Sequence, residues 1–320
     1  MVFTKVVHFL QIKEFKMRVV FMGTPDYATI ILKEMINSGL QVPLVITQPD
    51  KPVGRKQILT PPHVKKWIIE NEKAIKIYQP KTLRKKEVAE IISSYNPDYI
   101  VVAAFGQILP KNILDIAPCI NLHASLLPKY RGASPIQTSI LNNDVFTGVT
   151  AMLMEEGLDS GDILGFRFVE ILDKRVDVLF DELSHAAANL TINVLENFKQ
   201  IQQIQQLDAD ATYCVKIKKD NGLFSFDESS NEIFTKYRAY TPWPGIFLKN
   251  GLKIKEMRHA KNSDIHEKTG IISEIGKDFI SVTCRAGFVE VLKVQAPSKK
   301  EISATDYIRG KRLGVGSQLV

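Results

Sequence analysis

The chain has 320 residues, 45% of them hydrophobic and 24% charged, with a formal net charge of +7. That length exceeds the usual single domain, so two domains are expected, with ample material for a sizeable core. The positive excess permits an anionic partner such as a nucleic acid without requiring one. Cys119, Cys214 and Cys284 are odd in number and far apart, with no CxxC. That argues against a disulfide framework or a zinc site and fits a reducing compartment. No apolar run has the length needed to cross a bilayer, so no membrane partner is expected.

Residues 1–16 carry a short apolar patch, Val6 to Leu10, between charges and lack a small-residue cleavage site. They read as an N-terminal extension rather than a signal peptide, with Met17 as an alternative initiator. Arg18-Val19-Val20-Phe21-Met22-Gly23 is a continuous apolar run ending in glycine, followed by Thr24-Pro25. It predicts a buried strand turning into a helix over 26–38. Further strands are predicted at 44–47, 75–78, 99–104 and 119–123, with helices over 62–72, 82–94 and 134–142 between and after them. The run 99–104 is apolar throughout, as in a strand covered on both faces. Alternating strand and helix predicts a parallel sheet with right-handed crossovers, and strands near 148–154 and 166–171 can complete it.

Leu179, Leu183, Ala187, Leu190, Val194, Phe198 and Ile201 recur every three or four residues, predicting a long amphipathic helix. The Gln-rich segment 199–206 ends it, and the first domain is placed over 17–206. From 207 to 320 the pattern changes to short alternating runs near 245–248, 252–255, 270–272, 279–283 and 288–292. Five closely spaced strands suit a small barrel of the oligonucleotide-binding type. The fold class expected is therefore α/β, a Rossmann-like parallel-sheet domain followed by a small OB-like β-barrel domain.

The most informative segment is Ile120-Asn121-Leu122-His123-Ala124-Ser125-Leu126-Leu127-Pro128. Asn121 and His123 are two apart at the end of a predicted strand, so both point to one face. Asp159, in Gly157-Leu158-Asp159-Ser160-Gly161, follows another apolar run. Taken alone, an Asn-x-His pair is more often a satisfied polar pair at a strand end, and Asp159 more often a turn residue. Together the three suit acyl-type transfer, in which a carbonyl oxygen gains charge and a proton must move.

Phe21-Met22-Gly23-Thr24-Pro25, Gln48-Pro49-Asp50, the block from Asn121 to Ile136 and Leu158-Asp159-Ser160-Gly161-Asp162 closely resemble the folate-dependent formyltransferases. Arg238-Ala239-Tyr240-Thr241-Pro242-Trp243-Pro244-Gly245 narrows the resemblance to the methionyl-tRNA formyltransferases, and the likeness spans about 17–310. It implies 10-formyltetrahydrofolate as formyl donor, with no metal, and the amino group of initiator methionyl-tRNA as acceptor. It also implies a cytoplasmic monomer acting in translation initiation. By resemblance Asn121, His123 and Asp159 form the catalytic trio, and Ser125, Leu126, Leu127 and Pro128 belong to the folate pocket. The resemblance also implies that Arg55, in the basic loop with Lys51 and Lys56, meets the acceptor stem. This chain departs from the family in Lys56-Gln57-Ile58, where a second Gly-Lys pair is usual, and in the 1–16 extension.

Formyl transfer explains the residue types. The amide of Asn121 and a protonated His123 can donate to a developing oxyanion. Asp159 can relay the proton that the attacking amine must lose. Ser125 lacks a matching base by spacing and is not read as a nucleophile. A basic surface for tRNA is expected at the 51–56 loop and at Lys249, Lys253, Lys255, Arg258 and Lys261 in the barrel. Trp243 is read as a packing anchor rather than a stacking platform. The trio alone also fits formylation of a small amine, such as glycinamide ribonucleotide or an amino sugar. The barrel alone would fit an RNA-binding protein without catalysis.

Overall fold

The computed structural model describes residues 17–54 and 56–319, with the side chains of 261–263 excepted. The 1–16 extension, Arg55 and the Lys261 side chain therefore lie outside the described residues. The chain forms two compact units divided between Ile120 and Asn121.

In the first unit, β1 (Arg18–Gly23) is buried from Val19 onward. It runs parallel to β2 (Gln41–Ile46) on one side and β6 (Tyr99–Ala103) on the other. β5 (Lys76–Tyr78) extends the sheet beyond β2, giving the order β6-β1-β2-β5. The continuous apolar runs arise because parallel strands are covered on both faces. α1 (Asp26–Asn37) starts after Pro25 and packs Ile31, Leu32 and Met35 against the sheet. Gly23 lies where β1 gives way to α1, and a Cβ there would sit 2.5 Å from that of Ala28.

The sequence reading of 51–56 as a loop is corrected. β3 (Lys51–Val53) and β4 (Ile58–Thr60) pair antiparallel as a hairpin, with Gly54, Lys56 and Gln57 in its turn. Asp50 anchors its base, accepting two hydrogen bonds from Lys65 Nζ at 2.9 and 2.8 Å and one from Gln79 Nε2 at 2.8 Å. α2 (His63–Glu70), α3 (Lys86–Ser94) and α4 (Lys111–Leu114) complete the unit's helices. α3 begins four residues later than expected from the sequence, because Lys85 is extended as its N-cap.

β7 (Cys119–His123) carries the chain from one unit into the other. In the second unit β8 (Arg131–Gly132) and α5 (Pro135–Leu141) come next. β9 (Phe146–Leu153) neighbours β7 and pairs antiparallel with β10 (Ile163–Glu170). α6 (Val176–Asn197) packs its stripe of Leu179, Leu183, Ala187, Leu190 and Val194 on β9 and β10. The stripe's last two members fall beyond the helix, which tightens into a 3-10 turn over Phe198–Gln200.

β11 (Tyr213–Cys214) then pairs parallel with β8. α7 (Ser230–Tyr240) is opened by a capping box between Ser229 and Glu232 and packs on α5. A sheet follows, built from β12 (Ile246–Phe247), β13 (Lys253–Ile265), β14 (Ile272–Ile275), β15 (Ile280–Thr283), β16 (Ala286–Gln295) and β17 (Ile302–Ser303). Its order is β12-β13-β16-β15-β14, with β17 on β16. Five strands were expected; the sixth, β17, is two residues long and leads into α8 (Ala304–Lys311). Ile254, Met257, Ile280, Val282, Val289 and Val291 fill the core of this small β domain. Trp243 is 58% exposed, so the packing role expected of it is not seen. It sits between two prolines in a turn, outside any strand or helix register that would turn it inward.

All three cysteines are buried and unpaired. Burial pushes the thiols of Cys119 and Cys284 up to about 12, and burial also raises that of Cys214. Among the described residues, no helix is long and apolar enough to cross a membrane.

Candidate active site

β7 ends on Asn121, half-buried, and His123, 6% exposed, with their side chains on one face as the two-residue period requires. The chain then makes a tight, internally bonded turn. Ser125 Oγ donates to Lys129 O at 2.6 Å. Thr150 Oγ1 donates to Ser125 O at 2.7 Å and accepts from Leu127 N at 3.0 Å. Tyr130 reverses direction with φ at +62°, and its carbonyl faces His123 Nε2 at 2.9 Å. A carbonyl only accepts, so this contact places the imidazole proton on Nε2 and turns Nδ1 the other way.

Asp159 lies in the loop from β9 to β10, at a left-handed φ of +51° that Asp tolerates better than most residues. Its Oδ2 accepts from Gly132 N at 2.9 Å and lies 3.7 Å from His123 Nδ1. Its Oδ1 lies 3.4 Å from Asn121 Nδ2. Amide, imidazole and carboxylate, 38 residues apart in sequence at the extremes, thus meet at one spot. Gly132 must be glycine here: φ is +120°, and a Cβ would lie 2.3 Å from Cys214 O.

Such a group can do two things. Asn121 Nδ2–H and, when the ring is protonated, His123 Nδ1–H can both donate to one developing oxyanion. The Asp159 carboxylate beside them can take a proton from an attacking nucleophile. Among the described residues, no three His, Cys, Asp or Glu side chains are grouped to hold a metal ion.

The other sequence candidates divide by burial. Ser125 is fully buried with its hydroxyl committed to the turn, and Leu127 is 4% exposed in a cluster with Met152 and Ile163. Leu126 and Pro128 are half-buried and keep surface on that turn. Lys51 and Lys56 are exposed on the hairpin. In the β domain Lys253 and Lys255 share one face of β13, opposite the buried Ile254. Lys255 lies 4.0 Å from Glu301, and Arg258 pairs with Asp278 at 2.9 Å and lies 3.8 Å from Glu290. On this domain Lys255 and Arg258 therefore each stand beside acidic partners.

Three contributors escape the sequence reading. The Gly132 N–H and the Tyr130 carbonyl are backbone groups, which no motif reports. Gln206, whose carboxamide touches the Asp159 loop, sits in a Gln-rich stretch that reads as the tail of a helix.

Comparison with known proteins gives the family. The formyl transferase profile matches residues 17–195, and the formyl transferase C-terminal domain profile matches residues 216–312. The methionyl-tRNA formyltransferase of a Nitratiruptor species is 56% identical over 301 residues, covering 94% of this chain and 99% of that one. That of Campylobacter hominis is 50% identical over 303 residues, covering 95% and 100%. Among solved structures, HypX from Aquifex aeolicus in complex with tetrahydrofolic acid matches with a TM-score of 0.65 at 14% identity. It covers 94% of this chain and 48% of its own. The N-formyltransferase from Helicobacter canadensis, in complex with folinic acid and dTDP-3-aminofucose, matches with a TM-score of 0.62 at 19% identity, covering 86% and 99%. At those identities the solved structures speak for the fold alone. The profile matches and the level of identity to the bacterial relatives show that the chain belongs to the formyl transferase family, with methionyl-tRNA formyltransferases as its near relatives.

Proposed function

We propose that this enzyme transfers the formyl group of 10-formyltetrahydrofolate to the amino group of methionyl initiator tRNA, for translation initiation. The observation that carries the reading is the convergence of Asn121, His123 and Asp159 at the end of β7. The name shared by relatives at about half identity supports the acceptor.

The methionyl nitrogen attacks the formyl carbon, and the carbonyl π pair moves onto oxygen. Asn121 Nδ2–H and the His123 imidazolium Nδ1–H stabilise that oxyanion. Asp159 takes the proton shed by the attacking nitrogen, directly or through one water. The oxygen pair then re-forms the carbonyl, the bond to N10 breaks, and N10 takes up a proton to leave as tetrahydrofolate. No covalent enzyme intermediate is needed. Leu126 and Pro128 supply apolar surface for the folate, while Ser125 and Leu127 act from behind by holding the turn that carries them.

In this reading 17–206 is the catalytic domain and 207–320 is the linker and tRNA-binding domain, a division supported by the two profile ranges. Lys51, Arg55 and Lys56 contact the acceptor end, and Lys253, Lys255 and Arg258 contact the phosphate backbone. The enzyme works as a cytoplasmic monomer.

The test is transfer of labelled formyl from 10-formyltetrahydrofolate to charged initiator tRNA, glycinamide ribonucleotide and an amino sugar in parallel. Formylation of the tRNA is the expected result, and formylation of a small amine alone would overturn the assignment.

A further inference from the structure

The carboxylate of Asp159 depends on a segment that contains none of the trio. After the 3-10 turn the chain doubles back and Ile204 exchanges two backbone hydrogen bonds with Ile163, at 2.8 and 3.0 Å. Two residues on, Gln206 is 7% exposed. Its Nε2 donates to the carbonyls of Asp159 at 3.0 Å and Gly161 at 2.7 Å. Its Oε1 accepts from Arg131 Nε at 3.0 Å. Arg131 is itself buried, ion-paired through Nη1 to Asp208, and immediately precedes Gly132, whose N–H holds Asp159 Oδ2.

One primary amide therefore commits both N–H bonds to one side of Asp159 and a lone pair to the other. It fixes the 159–161 turn relative to β8, and those two segments together set where the carboxylate points. Asp159 holds a left-handed φ of +51°, a disfavoured conformation that persists because surrounding contacts such as this common donor fix it. A carboxylate displaced by about 1 Å in an acyl-transfer site can cost on the order of 10²-fold in rate.

We propose that Gln206 is a positioning residue for Asp159, acting on the chemical step and not on substrate binding. The inference rests on the proposed role of Asp159. The bland alternative is that Gln206 merely satisfies buried carbonyls and stabilises the fold.

The test uses the full chain with Gln206→Met, which keeps the volume, and Gln206→Glu, which also keeps the acceptor for Arg131 and loses both donors. Each is made in the native and in the Asp159→Asn background, with kcat, KM for both substrates and melting temperature measured. The expected result is a fall in kcat of about 10–100-fold in the native background, with both KM values within about twofold. In the Asp159→Asn background the same changes cost less than about threefold, because their target is already gone. Equal fold-losses in both backgrounds, or losses confined to melting temperature or KM, would overturn the positioning role. If Asp159→Asn alone leaves kcat unchanged, the role given to Asp159 fails and takes the inference with it.

Discussion

Gly132 donates its backbone N–H to Oδ2 of Asp159 across 2.9 Å. The carboxylate is thereby aimed before any substrate arrives, and its other oxygen is left toward Asn121. Replacing Asp159 with Asn puts an amide where a proton acceptor stood. We expect Asp159→Asn to lower kcat by about 10²–10⁴-fold, the usual range for a lost general base. KM for folate and the melting temperature should change little. Formyl transfer assays with thermal denaturation of the same samples check both halves.

Tyr130 offers an alkaline test. Its hydroxyl donates to Asp144 at 2.6 Å and accepts from Asn142 at 3.0 Å. Burial first, then the Asp144 carboxylate, pushes its phenol up to about 12. The neutral phenol is favoured in the folded state, so its contribution is complete below pH about 10, the ordinary value, and is lost as pH rises through about 12. Tyr130→Phe should therefore lower stability at pH 8 by about 1 kcal/mol for the lost hydrogen bonds. It should also make the decline between about pH 10 and 12 shallower. Burial raises Tyr27, Tyr99 and Tyr240 as well, so the decline should not vanish. Urea midpoints across that range decide it.

The base of the hairpin gives the acid counterpart. Hydrogen bonds from Lys65, then from Gln79, hold the Asp50 carboxyl below its usual range. Its contribution is present above the ordinary carboxylate value of about 4 and is lost as pH falls through the lowered folded-state value. Lys65→Met should move Asp50 back toward the ordinary value and weaken the protein at neutral pH. Carboxyl NMR titration of Asp50 in both proteins is the measurement, and an unchanged titration would remove Lys65 as the cause.

On the β domain, Arg258 is already met by Asp278 and Glu290. Arg258→Ala should therefore cost less tRNA affinity than Lys253→Ala, despite removing the same formal charge. Affinity for tRNA should fall steeply with salt. Lys253→Ala should reduce the slope of log affinity against log salt by about 1. Filter binding of initiator tRNA at several salt concentrations compares the two.

The sheet was legible because its strands are covered on both faces and so read as unbroken apolar runs, Val19 to Met22 and Tyr99 to Ala103 above all. α6 was legible because its buried stripe keeps one period along the helix. The β3–β4 hairpin was not, since a proline and a run of exposed positions hide the alternation that marks a strand. α7 was missed although Ser229 and Glu232 spell its capping box and Ile233, Tyr237 and Tyr240 recur at helical spacing, because that short stripe is set among polar residues. At the site, side chains on one strand were readable from spacing, and Asp159 from its resemblance to a motif. Gln206 had no signal: two of its partners are backbone carbonyls 45 and 47 residues earlier, which have no letter in a sequence, and the third is the distant Arg131 side chain.

The buried cysteines have a practical corollary. Thiols pushed up to about 12 stay almost wholly protonated at pH 8, and alkylating reagents attack the thiolate. Cys119, Cys284 and Cys214 are thus all shielded, by access and by acidity alike. A Lys56→Cys change at the exposed hairpin tip would make that position the reactive thiol of a chain whose own three cysteines stay in place. A single dye could then report the hairpin's approach to a partner without any prior removal of native sulfur.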